Sequence, residues 1–70
     1  MVKFHEQLKA TRQSQGKTQK QVATAIGISE RNYQSFEYGE SKPSFDALIS
    51  LADYFNVSID YLVGRTDKSK

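Results

Sequence analysis

The chain has no cysteine and no tryptophan, and only one proline, one histidine and four glycines among 70 residues. Without cysteine there is no disulfide staple, iron–sulfur cluster or thiolate zinc site. The single histidine, His5, has no second ligand near it in sequence, so it reads as a surface residue. No apolar run approaches the roughly 20 residues of a membrane span. No apolar stretch of signal-peptide length follows the N-terminus, so a soluble cytoplasmic domain is expected. No Ser–His–acid set, Gly-rich phosphate loop or metal-ligand cluster can be assembled. An enzyme finds no support, and neither a cofactor nor a metal is expected.

What is present is enough for one small domain: 37% of the residues are hydrophobic, which gives a small core and modest stability. The formal net charge is +2 but is unevenly placed. Residues 1–20 hold Lys3, Lys9, Arg12, Lys17 and Lys20 against Glu6 alone, the middle of the chain is acidic, and residues 51–70 balance. A basic excess at one end suits a polyanion, and it equally suits solvated lysines on ordinary helices.

The few glycines and the proline divide the chain into helices. Phe4 and Leu8 lie four apart with Thr11 and Arg12 on the same face, which predicts a first helix over about 3–14, stopped at Gly16. Thr18-Gln19-Lys20-Gln21 has the form of a capping box. The short helix it opens has Val22, Ala23 and Ile26 as its apolar stripe and ends at Gly27, a residue suited to a left-handed turn. Ser29 caps a third helix with Tyr33 and Phe36 on its inner face, stopped by Gly39. Residues 40–43 form a loop, because the residue before Pro43 is biased away from helix. Ser44 caps a fourth helix, with Asp46 in its first turn and Phe45, Leu48, Leu51, Ala52 and Phe55 as its buried stripe. Asn56-Val57-Ser58 breaks it, and Ser58 caps a last helix over 59–63, stopped by Gly64. No segment alternates with period two, so the fold class is all-α: a compact five-helix domain over 1–64 with a polar tail over 65–70.

Gln19–Tyr38 is the informative stretch. Two short helices are joined by about three residues with Gly27 in the turn, and Ala23, four residues earlier, gives the small contact that a steep crossing needs. Val22, Ile26, Ile28, Tyr33 and Phe36 fill the angle between them. This is the pattern of a helix-turn-helix, whose second helix is presented outward to a DNA major groove. At the next helix start, Lys42, Ser44 and the backbone N–H of Phe45 are a candidate phosphate site, since free N–H groups beside a lysine suit an anion. Thr18 has the same double role at the second helix, and either hydroxyl also serves as a simple cap.

The ordered set Leu8…Arg12…Gly16, Thr18-Gln19…Val22-Ala23, Gly27-Ile28-Ser29, Phe36-Glu37-Tyr38-Gly39, Pro43, Leu48…Leu51-Ala52 and Val57-Ser58…Asp60-Tyr61-Leu62…Gly64 resembles the Cro and phage-repressor family, the lambda-repressor-like helix-turn-helix proteins. The resemblance implies a sequence-specific regulator of transcription that binds double-stranded operator DNA, a repressor of phage or prophage type. It points to Glu30, Arg31 and Ser35 at base edges. Arg31 is the strongest of them, because a guanidinium can bind O6 and N7 of guanine together. Gln19 joins them, donating to a phosphate while bracing position 30. Thr18, Ser29, Asn32, Gln34, Tyr38, Lys42, Ser44 and Phe45 are expected at phosphates. Arg12 and Glu37 match a family pair that bridges the first and third helices, and Ile59 and Tyr61 are expected at a weak homodimer interface unless they only cover the end of the core. Tyr33 replaces the family's usual β-branched aliphatic residue, and Tyr38 replaces a frequent Asn. No small-molecule effector or sensor domain is expected. The competing reading is an antitoxin or other protein-binding module on the same scaffold.

Overall fold

The computed structural model describes residues 3–66 and Lys68; Met1 and Val2, and Asp67, Ser69 and Lys70 of the expected tail, lie outside the described residues. Five helices follow one another: α1 (Phe4–Ser14), α2 (Gln19–Ile26), α3 (Glu30–Glu37), α4 (Phe45–Phe55) and α5 (Ile59–Leu62). There is no strand among the described residues. The helices pack into a body of 28 × 22 × 22 Å, with α2 against α3 and α4, α1 against α3 and α5, and α4 against α5.

Four of the five helices start on a hydroxyl, as the sequence predicts. Thr18, Ser29, Ser44 and Ser58 each accept a hydrogen bond from the backbone N–H three residues on. At Thr18 the capping box is complete, because Gln21 Oε1 accepts from the Thr18 N–H at 2.8 Å. Each such cap contributes about 1 kcal/mol. Helices of eight residues would be marginal alone, so packing must supply the rest.

The core is built from every helix. Leu8, Val22, Tyr33, Leu51 and Leu62 are completely buried, and Ala23, Ala52, Phe36 and Phe55 nearly so. Burying a leucine of this kind contributes about 1.5–3 kcal/mol. Thr11 joins them because its hydroxyl donates to the Gln7 carbonyl at 2.8 Å and so carries no unmet polarity inward.

The turn between α2 and α3 rests on two residues. Gly27 sits at φ 79°, a left-handed conformation that costs glycine nothing. The Ile28 N–H then reaches back to the Ala23 carbonyl at 3.0 Å, closing the end of α2. Ala23 itself is 1% exposed, and its methyl sets how closely α3 can cross.

Three sequence expectations are corrected here. Phe45 is 70% exposed and does not join the buried stripe of α4: it is the first residue of the helix, ahead of the turn where the inward face begins. His5 is half-buried and not a free surface residue. A Cβ on Gly39 would lie 3.3 Å from its Nδ1, so the ring packs over the glycine that ends α3. The last helix also closes one residue early, with Val63 as its C-cap.

Ala23→Leu should lower stability by about 1–3 kcal/mol, the usual cost of overpacking. Urea unfolding followed by far-UV circular dichroism measures it. A midpoint equal to that of the original protein would show that the crossing is not close-packed at Ala23.

Candidate nucleic-acid interface

Helix α3 divides its residues by face. Tyr33, Phe36 and Glu37 are buried, while Glu30, Arg31, Asn32 and Tyr38 (its C-cap) are exposed. Ser29, Arg31, Asn32, Gln34, Ser35 and Tyr38 line one shallow groove of about 510 Å³, with Glu40 at its lip. Lys42 lines separate hollows, one with Phe4 and Gly39 and one with Pro43 and Leu48. Thr18 lines another with Lys20 and Tyr54. Ser44 and Phe45 are both exposed at the start of α4.

The hydroxyls differ in what they still offer. Thr18, Ser29 and Ser44 use their oxygens as acceptors in capping, which leaves each O–H proton free to donate. The hydroxyl of Ser35 instead donates to the Asn32 carbonyl at 2.6 Å and lies 2.6 Å from Ser41 Oγ. Ser35 therefore offers an acceptor, and its contact with Ser41 ties α3 to the loop that carries Lys42.

Beneath the groove lies an ion pair. Arg12 Nε donates to Glu37 Oε2 at 2.6 Å and Nη2 donates to Oε1 at 3.1 Å, a two-pronged contact. The Glu37 side chain is fully buried and that of Arg12 is 13% exposed. Arg12 Nη1 also donates to the Lys17 carbonyl at 2.9 Å, so one guanidinium joins α1, α3 and the turn before α2. Its pKa is raised, chiefly by the hydrogen bond to Glu37. Burial pushes the Glu37 carboxyl up, but Arg12, followed by the dipoles of Tyr33 and Gln19, outweighs it and leaves the carboxyl below its ordinary value.

The pair has two neighbours that the sequence did not reveal. Gln19 does not brace position 30: its Nε2 donates to Glu37 Oε1 at 3.1 Å, and its Oε1 accepts from Gln34 Nε2 at 3.1 Å. An amide finds a better acceptor in a buried carboxylate than in exposed Glu30, which explains the difference. The only available signal was that Gln34 and Glu37 lie three apart on one side of α3. The second neighbour is Tyr33, whose hydroxyl faces the same charges yet has no hydrogen-bond partner. Burial, then the adjacent carboxylate, pushes that phenol well above its ordinary value.

Residues 8–62 match the model of the helix-turn-helix family. The chain belongs to that family. Among its relatives is the cryptic phage CTXphi transcriptional repressor RstR of Vibrio cholerae, 41% identical over 99% of this chain and 63% of its own length. The HTH-type transcriptional regulator ImmR of Bacillus subtilis is 38% identical over 93% of this chain and 51% of its own length. The chain thus spans between 51% and 63% of the length of these two relatives. A transcriptional regulator from Listeria innocua superimposes with a TM-score of 0.83 at 34% identity, covering 93% of this chain and 63% of that one. The P22 c2 repressor, solved in complex with a synthetic operator, gives 0.87 at 23% identity over 94% of this chain and 100% of its own, a likeness of fold.

In this helix-turn-helix unit α2 and α3 are the paired helices, and the Arg12–Glu37 contact joins their base to α1. Ile59 and Tyr61 are half-buried on α5, and Ile59 packs against the core.

The lowered carboxyl of Glu37 has a pH consequence. Its contribution is fully present above the unfolded-state pKa of about 4.3 and is lost as pH falls through the lower folded value. Urea unfolding between pH 6 and pH 2 should show an acid-side loss of stability that Glu37→Gln flattens. At pH 7, Glu37→Ala should cost about 3–5 kcal/mol by leaving the guanidinium without its carboxylate. Identical acid profiles for the original protein and Glu37→Gln would rule out this carboxylate as the source.

Proposed function

We propose that this chain is a sequence-specific double-stranded DNA-binding repressor of transcription, of phage type, and that residues 3–64 form its DNA-binding unit. The observation that carries the reading is the outer face of α3. It is polar, lines a groove, and is fixed from beneath by a buried two-pronged ion pair. The names of the repressor and regulator relatives support it. A helix eight residues long, held rigidly with its polar face outward, fits the width of a major groove.

In this reading Arg31 and Glu30 meet base edges at the start of α3. Arg31 donates to guanine, Glu30 accepts from cytosine N4 or adenine N6, and Ser35 supplies an acceptor further along. Gln19 has one N–H left after its two internal bonds, enough for a phosphate. Thr18, Ser29 and Ser44 donate the protons that capping leaves free. Asn32, Tyr38, Lys42 and the N–H of Phe45 complete the backbone contacts. Phosphate contacts set affinity and base contacts set sequence choice.

Arg31→Ala should cost about 1–3 kcal/mol on the preferred duplex and little on random DNA, whereas Lys42→Ala should weaken both alike and reduce the salt slope. Titration of a labelled duplex, selected by the protein from a random library, at several salt concentrations separates the two. Equal losses for Arg31→Ala on both kinds of DNA would refute its role. No binding even at low salt would remove the DNA reading and favour a protein-binding module.

A single recognition helix reads too few base pairs to define a genomic site. Two copies joined through Ile59 and Tyr61 would set two α3 helices about 34–36 Å apart on one face of the duplex. The patch is small, so the free protein should be a weak homodimer that DNA completes. Tyr61→Lys is the better probe, because Ile59 also serves the core. Sedimentation with the selected duplex should give two chains per site for the original protein and one for Tyr61→Lys. Saturation of the site by one original chain would overturn the dimer.

A further inference from the structure

The carboxylate of Glu37 can only accept hydrogen bonds. It takes two from Arg12 and a third from Gln19 Nε2 at 3.1 Å. The amino end of Gln19 must therefore face Glu37 and its carbonyl must face away. That carbonyl accepts from Gln34 Nε2 at 3.1 Å, so the amino end of Gln34 is turned toward Gln19 and its Oε1 lies on the other side. Reversing either amide would set two acceptors against each other. Orientation passes in this way from a buried ion pair, through one residue of α2, to a side chain of α3.

Gln34 is half-buried and lines the outer groove with Arg31 and Ser35. After its bond to Gln19 it keeps one acceptor, Oε1, and one N–H. We propose that Gln34 reads adenine in the major groove, its carboxamide oriented for that base by the Glu37–Gln19 relay. This deepens the DNA reading above and rests on it. It moves Gln34 from the phosphate contacts expected on sequence to the base contacts, and makes Gln19 a positioning residue.

The chemistry selects the base. Adenine offers a donor at N6 beside an acceptor at N7, the complement of an amide with acceptor and donor both free. Guanine offers two acceptors, and the fixed Oε1 would oppose one of them. Cytosine and thymine each satisfy half of the amide at most. An unsupported glutamine can turn to suit guanine or adenine, but one held before binding gives up that freedom and loses less entropy on contact.

The test is selection from a random duplex library by the original protein, Gln34→Met and Gln19→Ala, with folding checked by far-UV circular dichroism. The original protein should prefer adenine at one position per half-site. Gln34→Met should lose that preference, by about tenfold, and keep the others. Gln19→Ala should bind all DNA more weakly, having lost its phosphate contact, but among the selected sequences it should relax the preference at this one position alone, whereas a merely structural role would blur the preference at every position. A second measurement alters the DNA: 7-deazaadenine at that position, lacking the N7 acceptor, should weaken binding of the original protein several-fold and leave that of Gln34→Met unchanged. Preferences blurred at every position, indifference to 7-deazaadenine, or a base other than adenine at the affected position would overturn the proposal. A selected site unaltered by Gln34→Met would overturn only the role of Gln34, whereas failure to select any sequence would overturn the DNA reading itself.

Discussion

The Arg12–Glu37 pair is the contact on which the arrangement of this small domain depends. The carboxylate is fully buried, and its partner is nearly so. Burying two charges is expensive, and the cost is offset here by geometry: two prongs between the charges, a bond from Arg12 to the Lys17 carbonyl, and a further donor from Gln19. A hydrophobic pair of similar volume would often be as stable or more so. What such a pair lacks is direction. An apolar contact between α1 and α3 tolerates a small rotation of α3, whereas a two-pronged ion pair does not. In this protein the charge fixes the azimuth of the helix, and the leucines supply the stability.

Much of the fold was legible because it is written in local signals. The capping residues Thr18, Ser29, Ser44 and Ser58 and the left-handed Gly27 act on backbone groups within a few residues of themselves, so spacing alone reveals them. The departures have a common physical origin. Phe45 matches the apolar spacing of α4 yet stays outside the core, because a residue at the first turn overhangs the end of the layer it would pack against. By sequence His5, with no ligand partner, belongs at the surface, but its ring covers Gly39, a contact between the start of α1 and the end of α3 that no local spacing encodes. Leu8 and Leu51 were readable because a buried leucine needs only an apolar environment. His5 needed a particular neighbour.

The same distinction separates the outer face of α3 from what lies under it. That Glu30, Arg31 and Asn32 point outward follows from Tyr33 and Phe36 pointing inward, which is helical geometry. That Gln19 serves Glu37 and Gln34, and not position 30, follows from competition among acceptors. The stronger acceptor is the carboxylate withdrawn from water. Burial, which the sequence shows only indirectly, decides which of two glutamates receives the amide.

Tyr33 shows what the pair imposes on its surroundings. Its ring is completely buried in the core and meets Phe36 edge-on at 6.4 Å, so the aromatic body does the work of an aliphatic residue with a larger area. Its hydroxyl is then carried into the core, where an unpaired O–H costs about 1–3 kcal/mol. Beside ordinary aliphatic neighbours that cost would be uncompensated. Here the hydroxyl faces a carboxylate and a guanidinium, whose field orients its dipole without a formed hydrogen bond. The carboxylate gains from the arrangement, since the phenol is one of the groups that hold it ionised. A larger residue under α3 and a buried charge at the end of α3 are thus tolerated together. Protonating Glu37 would weaken the acceptor that orients Gln19, turning one carboxyl oxygen into a donor, and would remove the charge that holds Arg12. Loss of stability and loss of an ordered outer face would then have one cause.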